Sequence, residues 1–245
     1  MYKIVLLRHG ITEWATRFTG WTDIDVTPDG IKETKKYAKV LKEQGFVFDL
    51  SYTSYLKRGI RTLWTVLDEM DLLWIPMIKH WRMNERHYGA LQGFNKGEVA
   101  AKYGDQQVYI WRRSYDIPPP PLPLDDPRHP SHDLKYKDFS PKELPVGESL
   151  KNTIARFLPY WKEVVEPEIK KGKKIICSLH SNTLRALIKH LDNLTDEEIM
   201  KVNVPYCIPL VYELDENLKA VKHYYLAPDK EVARVINSIK NQAKK

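Results

Sequence analysis

Two short stretches carry the same arrangement of reactive residues. In "VLLRHG" an aliphatic run stops at Arg8, His9 and Gly10; in "IICSLHSN" another stops at His180, Ser181 and Asn182. Imidazole is a nucleophile and a proton carrier near neutral pH. A cation or amide beside it, followed by a small residue, leaves room and charge for an anion. Arg58 in "TSYLKRGIRT", Lys96 after "NERHYGALQGFN", and the adjacent Arg112 and Arg113 in "YIWRRSY" add further cations. Guanidinium forks match phosphate and carboxylate oxygens through paired, charge-assisted hydrogen bonds. Together these residues point to a site for a small polyanion. Adjacent helical residues face different ways, so the alternative for Arg112 and Arg113 is that one of them is solvated. Glu85 in "NERHYG" is the odd carboxylate. It either pairs with Arg82 or Arg86 or exchanges a proton with substrate. A nearby phosphate dianion pushes a carboxyl toward its neutral form, which suits proton exchange with a hydroxyl.

These residues need elements that deliver them to one place. Residues 2–7 form a continuous aliphatic run, which predicts a strand buried on both faces. Thr27-Pro28-Asp29-Gly30 opens a helix, with Thr27 as N-cap and Pro28 in its first turn, ending at Gly45. A second strand is expected over 46–53, a helix over 56–70 and a third strand over 74–80. That alternation signals a parallel sheet covered on both faces. Helices are expected over 95–103 and 106–115. The stretch "DIPPPPLPLDDPRHPSHD" can be neither helix nor central strand and reads as an extended surface insertion. An amphipathic helix over 149–170, a strand over 174–179, a helix over 182–191 and strands over 208–214 and 220–226 follow. From Asp229 the chain is expected to be helical, then polar and mobile. In open parallel sheets ligands bind beyond the carboxyl ends of the strands, which places His9 and His180 on one rim. The helix after His180 adds free N–H groups and a positive dipole end that favour an anion.

The bulk numbers agree with a globular enzyme-sized chain. Its 245 residues suit one large α/β domain or two small ones. With 39 Lys plus Arg against 32 Asp plus Glu, the net charge of +7 favours anionic partners. Two cysteines, Cys177 and Cys207, cannot build a disulfide framework, and a reducing compartment is expected. No Cys/His cluster suggests a metal. The few apolar residues before Arg8 are too short for a signal peptide, and no run approaches membrane-spanning length. A cytoplasmic protein is expected, without membrane or nucleic-acid partners.

"LLRHG", "RFTGW", "TSYLKRGIRTLWTVLDE", "NERHYGALQGFNKGE", "IWRRSYDIPPPP", "GESL", "HSNTLRALIKHLDNL" and "IPLVYELDENLKAVKHYYL" run in order through nearly the whole chain. Together they resemble the cofactor-dependent phosphoglycerate mutases of the histidine phosphatase superfamily. "NERHYG" and "WRRSYDIPPP" narrow the resemblance to the mutase and bisphosphoglycerate mutase branch. It implies an α/β fold, three-layer α/β/α around a mostly parallel central sheet. A single domain over residues 1–245 is expected, with an insertion around 116–145 and a C-terminal lid around 229–245. The resemblance implies that His9 carries a phosphoryl group as phosphohistidine, bound together with its transition state by Arg8, Arg58 and His180. Glu85 is implied as the general acid and base. Thr19, Gly20, Tyr88, Lys96, Arg112, Arg113, Ser181 and Asn182 are implied to contact the phosphate and carboxylate of a small phosphorylated sugar acid. Interconversion of 3- and 2-phosphoglycerate in glycolysis and gluconeogenesis is implied, primed by 2,3-bisphosphoglycerate, without metal, in a homodimer or homotetramer.

The chain departs from that pattern around the same residues. Ile11 and Thr12 follow the RHG, where the family has Glu or Gln and then Ser. Ala15 stands in a loop two residues shorter that lacks the family's Asn. Ser181 replaces a Gly, with strain expected if the position needs positive φ. Tyr206 and Cys207 replace Thr-Gly, and Tyr206 adds bulk at the rim. The alternatives are a bisphosphoglycerate mutase or phosphatase on the same scaffold, a catalytically impaired phospho-ligand-binding homologue, and, more distantly, a nucleic-acid binder.

Overall fold

A computed structural model describes residues 1–241. Six strands form one sheet in the order β3-β2-β4-β1-β5-β6. They are β1 Tyr2–Arg8, β2 Leu50–Thr53, β3 Met77–Lys79, β4 Ile175–Leu179, β5 Leu210–Leu214 and β6 Ala220–Tyr225. β3, β2, β4 and β1 pair in parallel, and β5 is antiparallel to both of its neighbours. The sheet is therefore mostly parallel, with one reversed strand.

The continuous apolar run of β1 follows from burial on both faces. Successive side chains of a strand point to opposite sides. Ile4 and Leu6 pack with Phe157, Trp161, Leu184 and Leu187, from α5 (Leu150–Tyr160), the turn after it and α7 (Ser181–Leu191). Val5 and Leu7 pack with Ala38, Leu41, Leu63 and Val66, from α1 (Pro28–Glu43) and α2 (Lys57–Glu69). This is the three-layer α/β/α arrangement. Thr27 caps α1 as expected, its hydroxyl accepting from Gly30 N.

Several boundaries differ from expectation for identifiable reasons. β2 begins at Leu50, not at residue 46, because Phe46 and Phe48 turn onto the α1–α2 face and stack there. β3 is three residues long, because Pro76 has no N–H for a ladder and Trp74 lies exposed before it. The helix expected over 149–170 is interrupted by a π turn over Trp161–Val165 before α6 (Glu166–Lys170). Pro167 has no N–H to donate to the preceding turn and crowds the carbonyl four residues back, so the helix widens there. α8 (Asp196–Lys201) was not expected, although Thr195 and Glu198 form a reciprocal capping box that marks its start.

α3 (Lys96–Tyr103) and α4 (Asp105–Arg113) build a small roof over Phe18 and Leu91. The Pro-rich insertion is anchored, not merely superficial: Leu122, His129, Tyr136 and Leu144 are buried, and Leu122 N donates to Val146 O. α9 (Asp229–Asn241) closes the chain, and the last four residues of the expected lid lie outside the described residues. No helix among the described residues is long and apolar enough to cross a membrane.

A buried ion pair ties the helical layer to the loop over 81–87. Arg156 of α5 donates to Glu148 from Nε at 2.6 Å and Nη2 at 3.0 Å. The same guanidinium donates to Arg82 O at 2.6 Å and to Asn84 O and Glu85 O, each at 3.2 Å. Glu148 also accepts from His87 N. Removing one member strands the other charge in a dry site, which typically costs about 3–5 kcal/mol. Urea denaturation of Glu148→Ala should show a loss of that order. A loss below about 1 kcal/mol would mean the pair does not hold this loop.

Candidate active site

Three adjacent parallel strands deliver the central groups. β1 ends at Arg8 and His9, β4 at His180, and β2 at Ser54, one turn before Arg58. Arg8 pairs with Leu179 across β1 and β4, and His9 N donates to Leu179 O. Both histidines therefore reach the same rim, with ring centroids 5.1 Å apart.

Hydrogen bonds set the state of each imidazole. His9 Nδ1 lies 2.7 Å from Gly10 O, and a carbonyl only accepts, so Nδ1 carries the proton and Nε2 keeps a free lone pair. Burial, then the charges of Arg58 and Arg8, hold the His9 pKa well below its usual value. The ring is therefore neutral near pH 7. His180 is neutral for the same reasons, burial first. Its Nε2 is 2.7 Å from Ser54 Oγ, which itself accepts from Leu56 N. A hydroxyl that accepts from Leu56 N can still donate to Nε2 or accept from it; where it donates, the imidazole proton sits on Nδ1, which is buried without a protein partner. An anion's oxygen would satisfy it.

The cations are held by backbone carbonyls. Arg58, essentially buried, donates to Gly20 O at 2.6 Å and Thr22 O at 3.0 Å. Arg8 donates to Val204 O at 2.8 Å while its Nε is buried and unpaired. Lys96 Nζ donates to Ala15 O at 2.7 Å and Arg113 to Asn203 Oδ1 at 2.8 Å. Among the described residues none of these four, nor Arg112, forms an ion pair. Arg112 and Arg113 both reach the cavity, because they end α4 and the chain turns extended at Ser114. The solvated alternative for one of them does not apply.

Glu85 makes no salt bridge to Arg82 or Arg86. Its Oε1 accepts from Arg86 N at 2.9 Å and from Asn182 N at 3.0 Å. The first turn of α7 is thus partly taken by this carboxylate, where the sequence suggested a free anion-binding helix end. Asn182 Oδ1 in turn accepts from Arg185.

Arg8, His9, Arg58, Glu85, Lys96, Arg112 and Arg113 line one cavity of about 100 Å³ together with Thr19, Gly20, Tyr88, Ser181 and Asn182. His180 lies against His9, just behind that wall. Sequence reasoning missed several contributors, among them Ser54, Arg185 and Ile239. Ser54 ends its strand as the two histidines end theirs, which was a usable signal. Arg185 lies one turn after Ser181 on α7. Ile239, from α9, reaches the cavity only through the tertiary fold.

Two expectations about backbone change. Gly10 is required by packing, not by a ligand: a Cβ there would lie 2.5 Å from Val26 Cγ1 and 3.1 Å from Gly30 O. Ser181 opens α7 without positive φ, and of the residues that depart from the family pattern at the rim it is Cys207 that is left-handed, at φ 61°.

Lys96 reports on the site's charge. Burial, then Arg112, Arg8 and Arg113, lower its pKa to about 7. A bound anion restores the ammonium, so above pH 7 binding takes up a proton and weakens as pH rises. Calorimetric titration with sulfate at pH 8, in two buffers of different ionisation enthalpy, should show this uptake. It should vanish in Lys96→Met; uptake that persists there belongs to another group.

A family model described as "Histidine phosphatase superfamily (branch 1)" matches residues 4–129, just over half of the chain. Solved structures share the fold. A mycobacterial glucosyl-3-phosphoglycerate phosphatase is 19% identical with a TM-score of 0.65, over 91% of this chain and 96% of its own. A putative alpha-ribazole-5'-P phosphatase from Escherichia coli is 16% identical with a TM-score of 0.65, over 92% and 95%. Bacillus stearothermophilus YhfR is 18% identical with a TM-score of 0.67, over 89% and 93%. With a neutral histidine whose Nε2 is free, among unpaired cations at the strand ends, the chain belongs to the histidine phosphatase superfamily, branch 1, whose phosphohistidine chemistry acts on phosphorylated substrates.

Proposed function

We propose that this chain is a phosphoglycerate mutase, interconverting 3- and 2-phosphoglycerate through phosphorylated His9. The observation that carries this reading is the gathering of five cations around one small cavity. Arg8 and Arg58 flank His9, while Lys96, Arg112 and Arg113 line the same cavity. A phosphoglycerate offers an anion at each end. The cavity of about 100 Å³ is well below the roughly 300–1,000 Å³ of drug-sized pockets. That size suits a three-carbon acid better than the glucosyl or ribazole substrates named for the structural neighbours.

In this reading His9 Nε2 attacks phosphorus, and Arg8, Arg58 and the His180 Nδ1–H hold the equatorial oxygens, where charge spreads in the transition state. Glu85 takes the proton of the accepting hydroxyl and returns it to the leaving oxygen. Thr19, Gly20, Tyr88, Ser181 and Asn182 complete the walls around the substrate. The unpaired Arg8 Nε and His180 Nδ1 and the cations without carboxylate partners suit 2,3-bisphosphoglycerate, which when bound supplies the priming phosphoryl group. A phosphatase on the same scaffold is the second reading, favoured by Ala15, which offers no side chain to hold a substrate in the shortened loop.

Incubation with 2,3-bisphosphoglycerate should add one phosphoryl group, acid-labile and base-stable, to the wild-type chain and none to His9→Ala. Label retained in His9→Ala would remove His9 as the nucleophile. Glu85→Gln should still be phosphorylated, but its mutase turnover in a coupled assay should fall on the order of 10²–10⁴-fold. Wild-type turnover in that variant would remove Glu85 from the mechanism. Phosphate release without 2-phosphoglycerate would favour the phosphatase.

A further inference from the structure

The Arg8 guanidinium does not stand alone beside His9. Its Cζ lies 3.6 Å from the centroid of the Tyr206 ring. The same ring meets His9 edge-on, with centroids 5.8 Å apart and planes at 61°. One face of the guanidinium is thus covered by the ring, while Nη1 is tied to Val204 O at 2.8 Å. The Nε–H stays buried without a partner. A fork fixed on one face and at one end has little freedom to turn, so its remaining donors are pre-aimed for an anion.

The backbone fixes this stack. Cys207 N donates to Arg8 O at 3.0 Å, so the residue after Tyr206 is bonded to the residue the ring covers. Cys207 takes its left-handed conformation there, which turns the chain sharply beyond the ring. Tyr206 also packs against the cluster of Tyr37, Cys207 and Ile208. The side chain is therefore held by the core as well as by the cation it covers.

We propose that Tyr206 is a positioning residue that acts through Arg8 and, as a wall beside His9, keeps water from the phosphorylated imidazole, so that transfer to a sugar acid outruns hydrolysis. This rests on His9 as the nucleophile proposed above. The position carries Thr in the family pattern, which offers neither a π face nor a wall of this size. A cation stacked on a ring in a desolvated site is held far more firmly than one in solvent. Misplacing a phosphoryl-binding group slightly is enough to slow transfer strongly.

The test uses the full chain with Tyr206→Phe and Tyr206→Leu. Phe keeps the stack; Leu fills much of the space without a π face. Each is phosphorylated from 2,3-bisphosphoglycerate, and loss of label to water is compared with transfer to 3-phosphoglycerate. Tyr206→Phe should match the wild type. Tyr206→Leu should raise the ratio of hydrolysis to transfer on the order of tenfold and raise KM for phosphoglycerate. Sulfate affinity, which needs no phosphoenzyme, should fall in Tyr206→Leu and be kept in Tyr206→Phe. Unchanged partitioning and unchanged sulfate affinity in a folded Tyr206→Leu overturn the proposal. So does a Tyr206→Phe as impaired as Tyr206→Leu, since that assigns the effect to the hydroxyl. A wild type that takes no label overturns the assignment of His9 instead, and the sulfate comparison then decides the Arg8 clamp by itself.

Discussion

The structure is organised around positive charge that the protein gathers and does not neutralise. Arg8, Arg58, Lys96, Arg112 and Arg113 line one cavity, while Glu85 contributes the carboxylate among them. Buried unpaired charge opposes folding, so the rest of the chain must force these groups together. It does so with two hydrophobic layers on a sheet whose central strand is buried on both sides. The neutral state of His9 follows from that arrangement, because burial and neighbouring cations both disfavour an imidazolium.

Carbonyl oxygens are what make this tolerable. A carboxylate bonded directly to Arg58 would cancel the charge that an anion needs, whereas Gly20 O and Thr22 O satisfy the N–H groups and leave the charge in place. Arg8 on Val204 O and Lys96 on Ala15 O follow the same rule. Arg156 shows the contrast. It is not a cavity-lining cation, so it can take Glu148 fully, and the saturated pair serves to hold the loop that carries Glu85. The molecule separates cations that bind the chain from cations kept for a ligand.

The shortened opening loop takes part in this separation. Ala15 has no polar side chain, yet its carbonyl receives the Lys96 ammonium, and Thr16 O receives Lys96 N. The loop thereby holds Lys96 with backbone alone. On the far side Tyr206 covers Arg8, and Cys207 carries the backbone strain that the sequence suggested for Ser181. Cys207 is nevertheless well packed, its thiol near Thr34 and Gly30.

The alternation of aliphatic runs and capped amphipathic helices was enough to determine a doubly covered sheet with parallel strands ending at His9 and His180, but not the reversal of β5. Those signals are local: a two-sided buried strand must be apolar throughout, and Thr27 or Ser149 marks a helix start within four residues. Residue types also marked the cavity's cations, because a polyanion site has few alternatives to Arg, Lys and His, whereas Thr19, Gly20 and Tyr88 were implied only by the family resemblance. Which hydrogen bonds each group makes was not legible. Ser54 on His180, Ile239 in the cavity wall and the Tyr206 ring on Arg8 join residues more than a hundred positions apart. The same holds for protonation. The neutral state of His9 and the lowered pKa of Lys96 depend on burial and on charges from several elements at once, and only the assembled tertiary structure sets those distances.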